Sequence, residues 1–317
     1  MATHIPERSN AEERQVRHRT IEIDGAETFY REAGAPDAPA ILLPHGYPSS
    51  SYAYRDFMPA LADRWRLVAP DFPGQGYSDT PDDFDFSFDG YARFLNRFVD
   101  VMSMDRFAIY LHDYGSQIGL RLAMAAPERI TALIIQNGDI YEDALGPKYE
   151  GLKAYFANPT PEGRGKLEAA VSEEGFRDEF LNDVRGELKA LIPPDLWKLH
   201  WSLTTPKRRE IAVRLMEGLK ENLEWFPRYQ AYLRDHQPPT LIVWGPQDGY
   251  MPAASAQAYL RDLPNAELHL LDGGHWLLET CLEEVVDLVR DFLGRVHWQS
   301  ATHSARSAGD HHAAARH

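Results

Sequence analysis

Short apolar runs broken by turn or polar residues recur along the chain: "AILLPHG" (40–46), "RLVAPDFPG" (66–74), "FAIYLHD" (107–113), "ITALIIQNG" (130–138), "TLIVWGPQD" (240–248) and "AELHLLDGG" (266–274). They are apolar throughout rather than alternating, as expected of strands buried on both faces, and helical patterns lie between them. The pattern predicts an α/β fold, a mostly parallel sheet flanked by helices. Ligands on such sheets bind beyond the carboxyl ends of the strands, so chemistry is expected just after these runs.

From Asp139 to about Gln237 the strand pattern stops and helix-like, aromatic-rich segments take over, such as "PEGRGKLEAAVSEEGF" and "PPDLWKLHWSL". This predicts a helical cap over 139–236, inserted after the sixth strand and covering the site. The two prolines of "DHQPPT" (235–240) end a helix and return the chain to the core. The division that follows is a charged N-terminal arm (1–18), a core of 19–138 and 237–297, the cap, and a tail (298–317) without apolar periodicity, expected to be disordered.

Composition narrows the partners. The chain has 317 residues, 44% of them hydrophobic, enough for one large core. A net charge of −15 disfavours nucleic acid and anionic membrane surfaces and favours a small neutral hydrophobic substrate. Cys281 is the only cysteine and lies in an amphipathic stretch, so it reads as a packed thiol, with no disulfide framework. No metal or cofactor is called for; the His311–His312 pair lies in the tail and reads as solvated. The N-terminus lacks a secretory apolar segment and no run is long enough to span a membrane, so a cytoplasmic location is expected. A homodimer is compatible with all of this.

The segment "AIYLHDYGSQIG" (108–119) carries the chemistry. A strand passes through Asp113 into a helix, with Gly115 two positions on, as in a sharp strand-turn-helix elbow that presents a nucleophile at its apex. Leu111 stands where the strict motif has glycine. Ser116 falls inside the helix, where no turn would present it. A carboxylate attacks without deprotonation and suits displacement at an alkyl carbon, leaving an ester on the enzyme. Taken alone, the motif fits a helix cap equally well.

Two further loops separate those readings. "GGHWLLE" sets His275 after the last apolar run, and "WGPQDGYMP" sets Asp248 after the run before it. The order Asp113, Asp248, His275 is that of a nucleophile–acid–base triad, each member at a strand's carboxyl end. The backbone N–H groups of Tyr47 and Tyr114 are the candidate oxyanion donors, and His45, Gly46 and Pro48 form the turn that carries Tyr47. Asp139, after the sixth strand, is a weaker rival for the acid and reads more simply as a polar residue at the entry to the cap.

Together "HGYP", "DFPGQGYSDTP", "HDYG", "GPQD" and "GGHW" resemble the α/β-hydrolase superfamily, in particular its epoxide hydrolase and haloalkane dehalogenase branch, over roughly residues 20–295. The resemblance implies an aspartate nucleophile, a covalent alkyl-enzyme ester and a water activated by the His/Asp pair. For epoxides it also implies two cap phenols that polarise the leaving oxygen, and Tyr155 and Tyr229 lie in segments similar to those that supply them. Haloalkane dehalogenases typically place Trp after the nucleophile and often Asn after His-Gly. Here Tyr114 and Tyr47 stand there, which argues against dehalogenation of the usual kind and also separates the chain from many epoxide hydrolases, which favour Trp after the nucleophile as well; the substrate class stays open, with epoxide-to-diol hydrolysis as the first reading. The absence of an arginine after Asp113 disfavours a carboxylate substrate of the fluoroacetate dehalogenase kind. Hydrolysis of a carbon–halogen bond and a ligand-binding protein with vestigial turnover are the alternatives.

Overall fold

The computed structural model describes residues 14–296. Eight strands form one sheet: β1 (Arg17–Ile23), β2 (Ala26–Ala33), β3 (Ala40–Leu42), β4 (Arg66–Pro70), β5 (Phe107–His112), β6 (Ile130–Gln136), β7 (Thr240–Trp244) and β8 (Glu267–Leu270). Their spatial order is β1-β2-β4-β3-β5-β6-β7-β8. The β1–β2 and β2–β4 pairs are antiparallel, and every later pairing is parallel.

Alternation along the central strands explains their continuous apolar sequence. Ile109 and Leu111 of β5, Ile135 of β6 and Ile242 and Trp244 of β7 join one core layer. Ala108 and Tyr110, Ile134, and Leu241 and Val243 join the opposite layer. Side chains on a strand point alternately to the two faces, so a sheet covered by helices on both needs apolar residues at every position. Helices Phe88–Val101 and Tyr114–Ala125 cover the first face, and Phe57–Leu61 with the helix over 282–296 covers the second. Cys281 is buried in that second layer.

The apolar runs mark β3 to β8 and miss β1 and β2. Most of β1, "RHRTIEI", is exposed or half-exposed at the sheet edge, so it carries no continuous apolar signal. It begins at Arg17, inside the expected 1–18 arm. The rest of that arm's first 13 residues, and the expected tail from 298 on, lie outside the described residues.

Between β6 and β7 the chain is helical. Its segments include Tyr149–Ala157, Pro161–Ala170, Glu173–Leu181, Asp195–Ser202 and Pro206–His236. Starts are set by side-chain caps: Thr160 accepts from Gly163 N–H, Ser172 from Gly175 N–H and Thr205 from Arg208 N–H. The last helix stops at Gln237, whose left-handed φ of 44° is followed by Pro238 and Pro239. Arg208 ties this segment to the core by donating to the Gly76 and Ser78 carbonyls and to Thr80 Oγ1. Among the described residues, no helix is long and apolar enough to cross a membrane.

Candidate active site

Asp113 closes β5 with φ 50° and ψ −131°, a conformation that costs an L-residue on the order of 1–3 kcal/mol and persists only where the surroundings enforce it. The enforcement comes from close packing behind the turn. A Cβ on Gly115 would meet the Pro44 carbonyl oxygen at 2.3 Å, and one on Gly46 would meet Asp113 Cβ at 2.4 Å. The two chain segments therefore touch backbone to backbone, and the carboxylate is turned into the crevice. It makes no capping bond to the helix it precedes. Instead Oδ1 accepts the Tyr47 N–H at 2.6 Å, and Oδ2 lies 3.5 Å from His275 Nε2.

Burial works to raise the Asp113 pKa, but His275 and the Tyr114 N–H overcome it and hold the carboxyl below its usual range. The helix N-terminus beneath favours the same anionic state. Asp113 is therefore ionised at neutral pH without any base to deprotonate it.

His275 Nδ1 donates to Asp248 Oδ2 at 2.7 Å, while Nε2 has no hydrogen-bond partner among the described residues. Asp248 is itself fixed: Oδ1 accepts from the Tyr250 and Met251 N–H groups, and Oδ2 also accepts from Asn137 Nδ2 at 2.9 Å. Burial would raise its pKa, and His275 and Asn137 bring it below the ordinary carboxylate range. Burial would likewise depress His275, but Asp248 and Asp113 outweigh it and raise the imidazole well above its usual pKa. The imidazole thus spans two carboxylates, and the upward push from Asp113 lasts only while that carboxylate is charged: once it is esterified, His275 moves back toward the neutral form a base needs.

Several residues that support this line were not visible in the sequence. Asn137, at φ 38°, also bonds both the N–H and the carbonyl of Gly245, strapping the end of β6 to the end of β7. Its signal was the "QNG" after an apolar run, since Asn tolerates left-handed φ better than most residues. His112 Nε2 and Gln136 Nε2 both donate to the His275 carbonyl, at 3.1 and 3.0 Å. Burial pushes the His112 pKa down to about 3, with His275 adding to the effect, so His112 is a neutral support.

The residues of the expected turn fall around the same point. His45 is buried, Nδ1 donating to the Gly46 carbonyl and Nε2 accepting from Phe72 N–H, so it braces the loop. The Tyr47–Pro48 peptide is cis. The Tyr47 ring stacks on Tyr114, and its hydroxyl is buried without a partner among the described residues. Ser116 is fully buried inside the helix.

A cavity of about 550 Å³ opens above Asp113 and His275. Its walls are largely aromatic, with Tyr47, Tyr114, Tyr149, Tyr155, Phe176 and Tyr250 prominent, and they also carry Lys148, Glu162, Lys166 and Glu179. The two phenols expected to converge there do not. Tyr155 lines the cavity, but its hydroxyl donates to Glu217 at 2.7 Å. Tyr229 is fully buried and does not line it; its hydroxyl accepts from Arg121 Nε and donates to Asn222. The reason is helical phase: Tyr229 lies on the face of helix Pro206–His236 that packs on helix Tyr114–Ala125.

Asp139 is not on His275. It is buried against Gln117 Nε2, with the Tyr149 hydroxyl beside it, and burial pushes its pKa up to about 7. A carboxyl whose folded pKa is raised stabilises the fold below its unfolded pKa, and that contribution is lost as pH rises through the folded value. Asp139→Asn is therefore expected to raise the melting temperature at pH 8 and to leave it unchanged near pH 4. Equal melting shifts at both pH values would show that Asp139 is not held neutral.

The alpha/beta hydrolase fold family matches residues 39–280 of the chain. An uncharacterized hydrolase of Saccharomyces cerevisiae, YNR064C, is 34% identical over 283 residues, 86% of this chain and 96% of that one. Haloalkane dehalogenase 2 of Mycobacterium tuberculosis is 39% identical over 247 residues, 72% of this chain and 81% of that one. Among solved structures, haloalkane dehalogenase DbeA from Bradyrhizobium elkani superposes with a TM-score of 0.76 at 22% identity, over 90% of this chain and all of that one, a likeness of fold.

Proposed function

The chain belongs to the α/β-hydrolase fold family, and from that premise we propose that it opens epoxides to diols through an ester on Asp113. The observation that carries the aspartate mechanism is the orientation of the Asp113 carboxylate. It ignores the helix it could cap, takes the Tyr47 N–H and faces the unbonded Nε2 of His275.

In the first step Oδ2 attacks a ring carbon, the carbon–oxygen bond breaks, and the electron pair goes to the departing oxygen, which must be protonated. In the second, His275 Nε2 takes a proton from water as the hydroxide adds to the ester carbonyl. Asp248 holds the imidazole in the tautomer with Nδ1 protonated and steadies the imidazolium. The oxyanion that forms on the former Oδ1 meets the N–H groups of Tyr47 and Tyr114. His275 then returns the proton to the diol oxygen as Asp113 leaves.

The cap over 139–236 supplies much of the wall of the cavity, whose largely aromatic lining suits a small neutral hydrophobic molecule. An alkoxide is a poor leaving group and needs hydrogen-bond donors, which a wall rich in phenols offers. The second reading, cleavage of a carbon–halogen bond, is favoured by the 39% identical dehalogenase. Those reactions need N–H groups around the halide. Among the described residues lining the cavity there is no tryptophan, and the one side-chain amide is Asn158. Styrene oxide and 1-bromobutane supplied separately decide between them: diol without bromide release is expected, and bromide release without diol would overturn the epoxide reading.

A further inference from the structure

We propose that Glu179 is the acid that protonates the departing oxygen, an inference that rests on the epoxide reading and replaces the expected phenol pair with a carboxyl from the cap. Three observations carry it. Helix Glu173–Leu181 is anchored at two points on either side of Glu179. Phe176 packs edge-on against Tyr47 at 5.8 Å between ring centroids, and Phe180 packs on Trp276, the neighbour of His275, at 4.3 Å. Residues 176, 179 and 180 share one helix face, so Glu179 is held over the Asp113–His275 pair. It lines the same cavity as both.

Second, no hydrogen bond or ion pair occupies the Glu179 carboxyl among the described residues, whereas Lys148, the cation from the cap beside it, is committed to Asp183 at 2.6 Å. The Tyr155 and Tyr229 hydroxyls, by contrast, are engaged elsewhere. Third, Glu179 also lines a more open depression that adjoins the cavity and shares Ala170 and Gly175 with it. That depression offers the carboxyl a route to bulk solvent for exchange of its proton.

The charged surroundings keep the proton available. The elbow presents Asp113 and Tyr114 to Glu179, the His-Gly turn presents Tyr47, and the loops after β7 and β8 present Asp248, Tyr250 and His275. From the cap come Lys148 and Asp183, and around the open depression Lys166, Glu174 and Asp178. Burial pushes the Glu179 pKa up to about 7; His275 and Lys148 oppose the rise, and Asp113 and Asp248 add to it. A carboxyl poised there is protonated in a large fraction of molecules at neutral pH, while Asp113 beside it is ionised.

The step balances without a further reagent. Asp113 forms the carbon–oxygen ester bond as the ring carbon–oxygen bond breaks, and the Glu179 proton passes to the ring oxygen, leaving a Glu179 carboxylate. Hydrolysis regenerates the Asp113 carboxylate and releases one proton in all, which restores Glu179 through solvent.

The test is kcat/KM for styrene oxide from pH 5.5 to 9 in the wild-type protein, Glu179→Gln and Glu179→Asp, with melting temperatures to establish folding. Wild-type activity should fall about tenfold per pH unit above neutrality, and Glu179→Gln should be about 100-fold slower at pH 6 with a flat profile, so the two curves meet near pH 9. Glu179→Asp should restore an alkaline limb at a reduced rate, which also serves if the glutamine variant does not fold. Diol formation by Glu179→Gln with the wild-type rate and profile would overturn the role of Glu179 and leave the epoxide reading in place. No diol from the wild-type protein would overturn both.

Discussion

Replacing Asp113 by alanine is expected to reduce diol formation by about 10⁴-fold or more while leaving the protein folded, the scale seen when a nucleophile that works as part of a unit is removed. The physical basis is that nothing else in the crevice can take its place. Ser116 is enclosed in the helix, Asp139 is held against Gln117, and Glu179 hangs from the cap rather than standing at the elbow. Alanine at 113 gives up the contact with Tyr47 N–H but keeps the Cβ and the packing of Gly115 and Gly46 behind the turn, so the sheet is not disturbed. Circular dichroism and the melting curve serve as controls. Undiminished turnover would remove Asp113 from the mechanism and with it the ester intermediate.

The second large effect concerns the ester itself. With His275→Gln, attack by Asp113 proceeds but no base activates the water, so one equivalent of alkyl-enzyme should accumulate after styrene oxide is added, and turnover should drop by about 10³-fold or more. Intact-protein mass spectrometry reads the chemistry as well as the stoichiometry. Opening of an epoxide adds the whole mass of the epoxide, because the proton ends on the new hydroxyl. Displacement of a halide from a haloalkane adds the alkyl group less one hydrogen, because halide departs. Peptide mapping should place the added mass on the fragment that contains Asp113. A fast mutant with no adduct would mean that water attacks the substrate directly.

These two experiments bear on the part of the site that is most local in sequence. Asp113, Asp248 and His275 each follow an apolar run at a strand's end, and the parallel sheet brings strand ends together on one side. Any chain with this order of strands must gather those three loops, so their proximity was legible in the sequence. The same holds for Tyr47, five residues beyond the end of β3, whose N–H reaches Asp113 because β3 lies next to β5. The strands β3 to β7 were legible because burial on two faces leaves a nearly unbroken apolar signature, whereas β8, half-exposed at the other edge, was legible from its alternating leucines and the turn after it.

Other features depend on distances that no local pattern encodes. The edge strand β1 is mostly exposed, so its pairing with β2 and not its composition makes it a strand. His112 and Gln136 act on the His275 loop across 163 and 139 residues of chain, and Asn137 on the Gly245–Asp248 loop across 108, through hydrogen bonds that exist only once β5, β6 and β7 are side by side.

The cap shows the division most clearly. Its helices could be read from the sequence, but which face of each meets the crevice is set by how the helices pack, and a helix turns its residues through about 100° per step. That rotation sends the Tyr229 hydroxyl to Arg121 and Asn222, ties the Tyr155 hydroxyl to Glu217, and brings Glu179 over Asp113. The order of strands and loops, written in the chain, determined the line of Asp113, His275 and Asp248; the packing of the cap, settled only in three dimensions, decided which side chains face the molecule that line would act on.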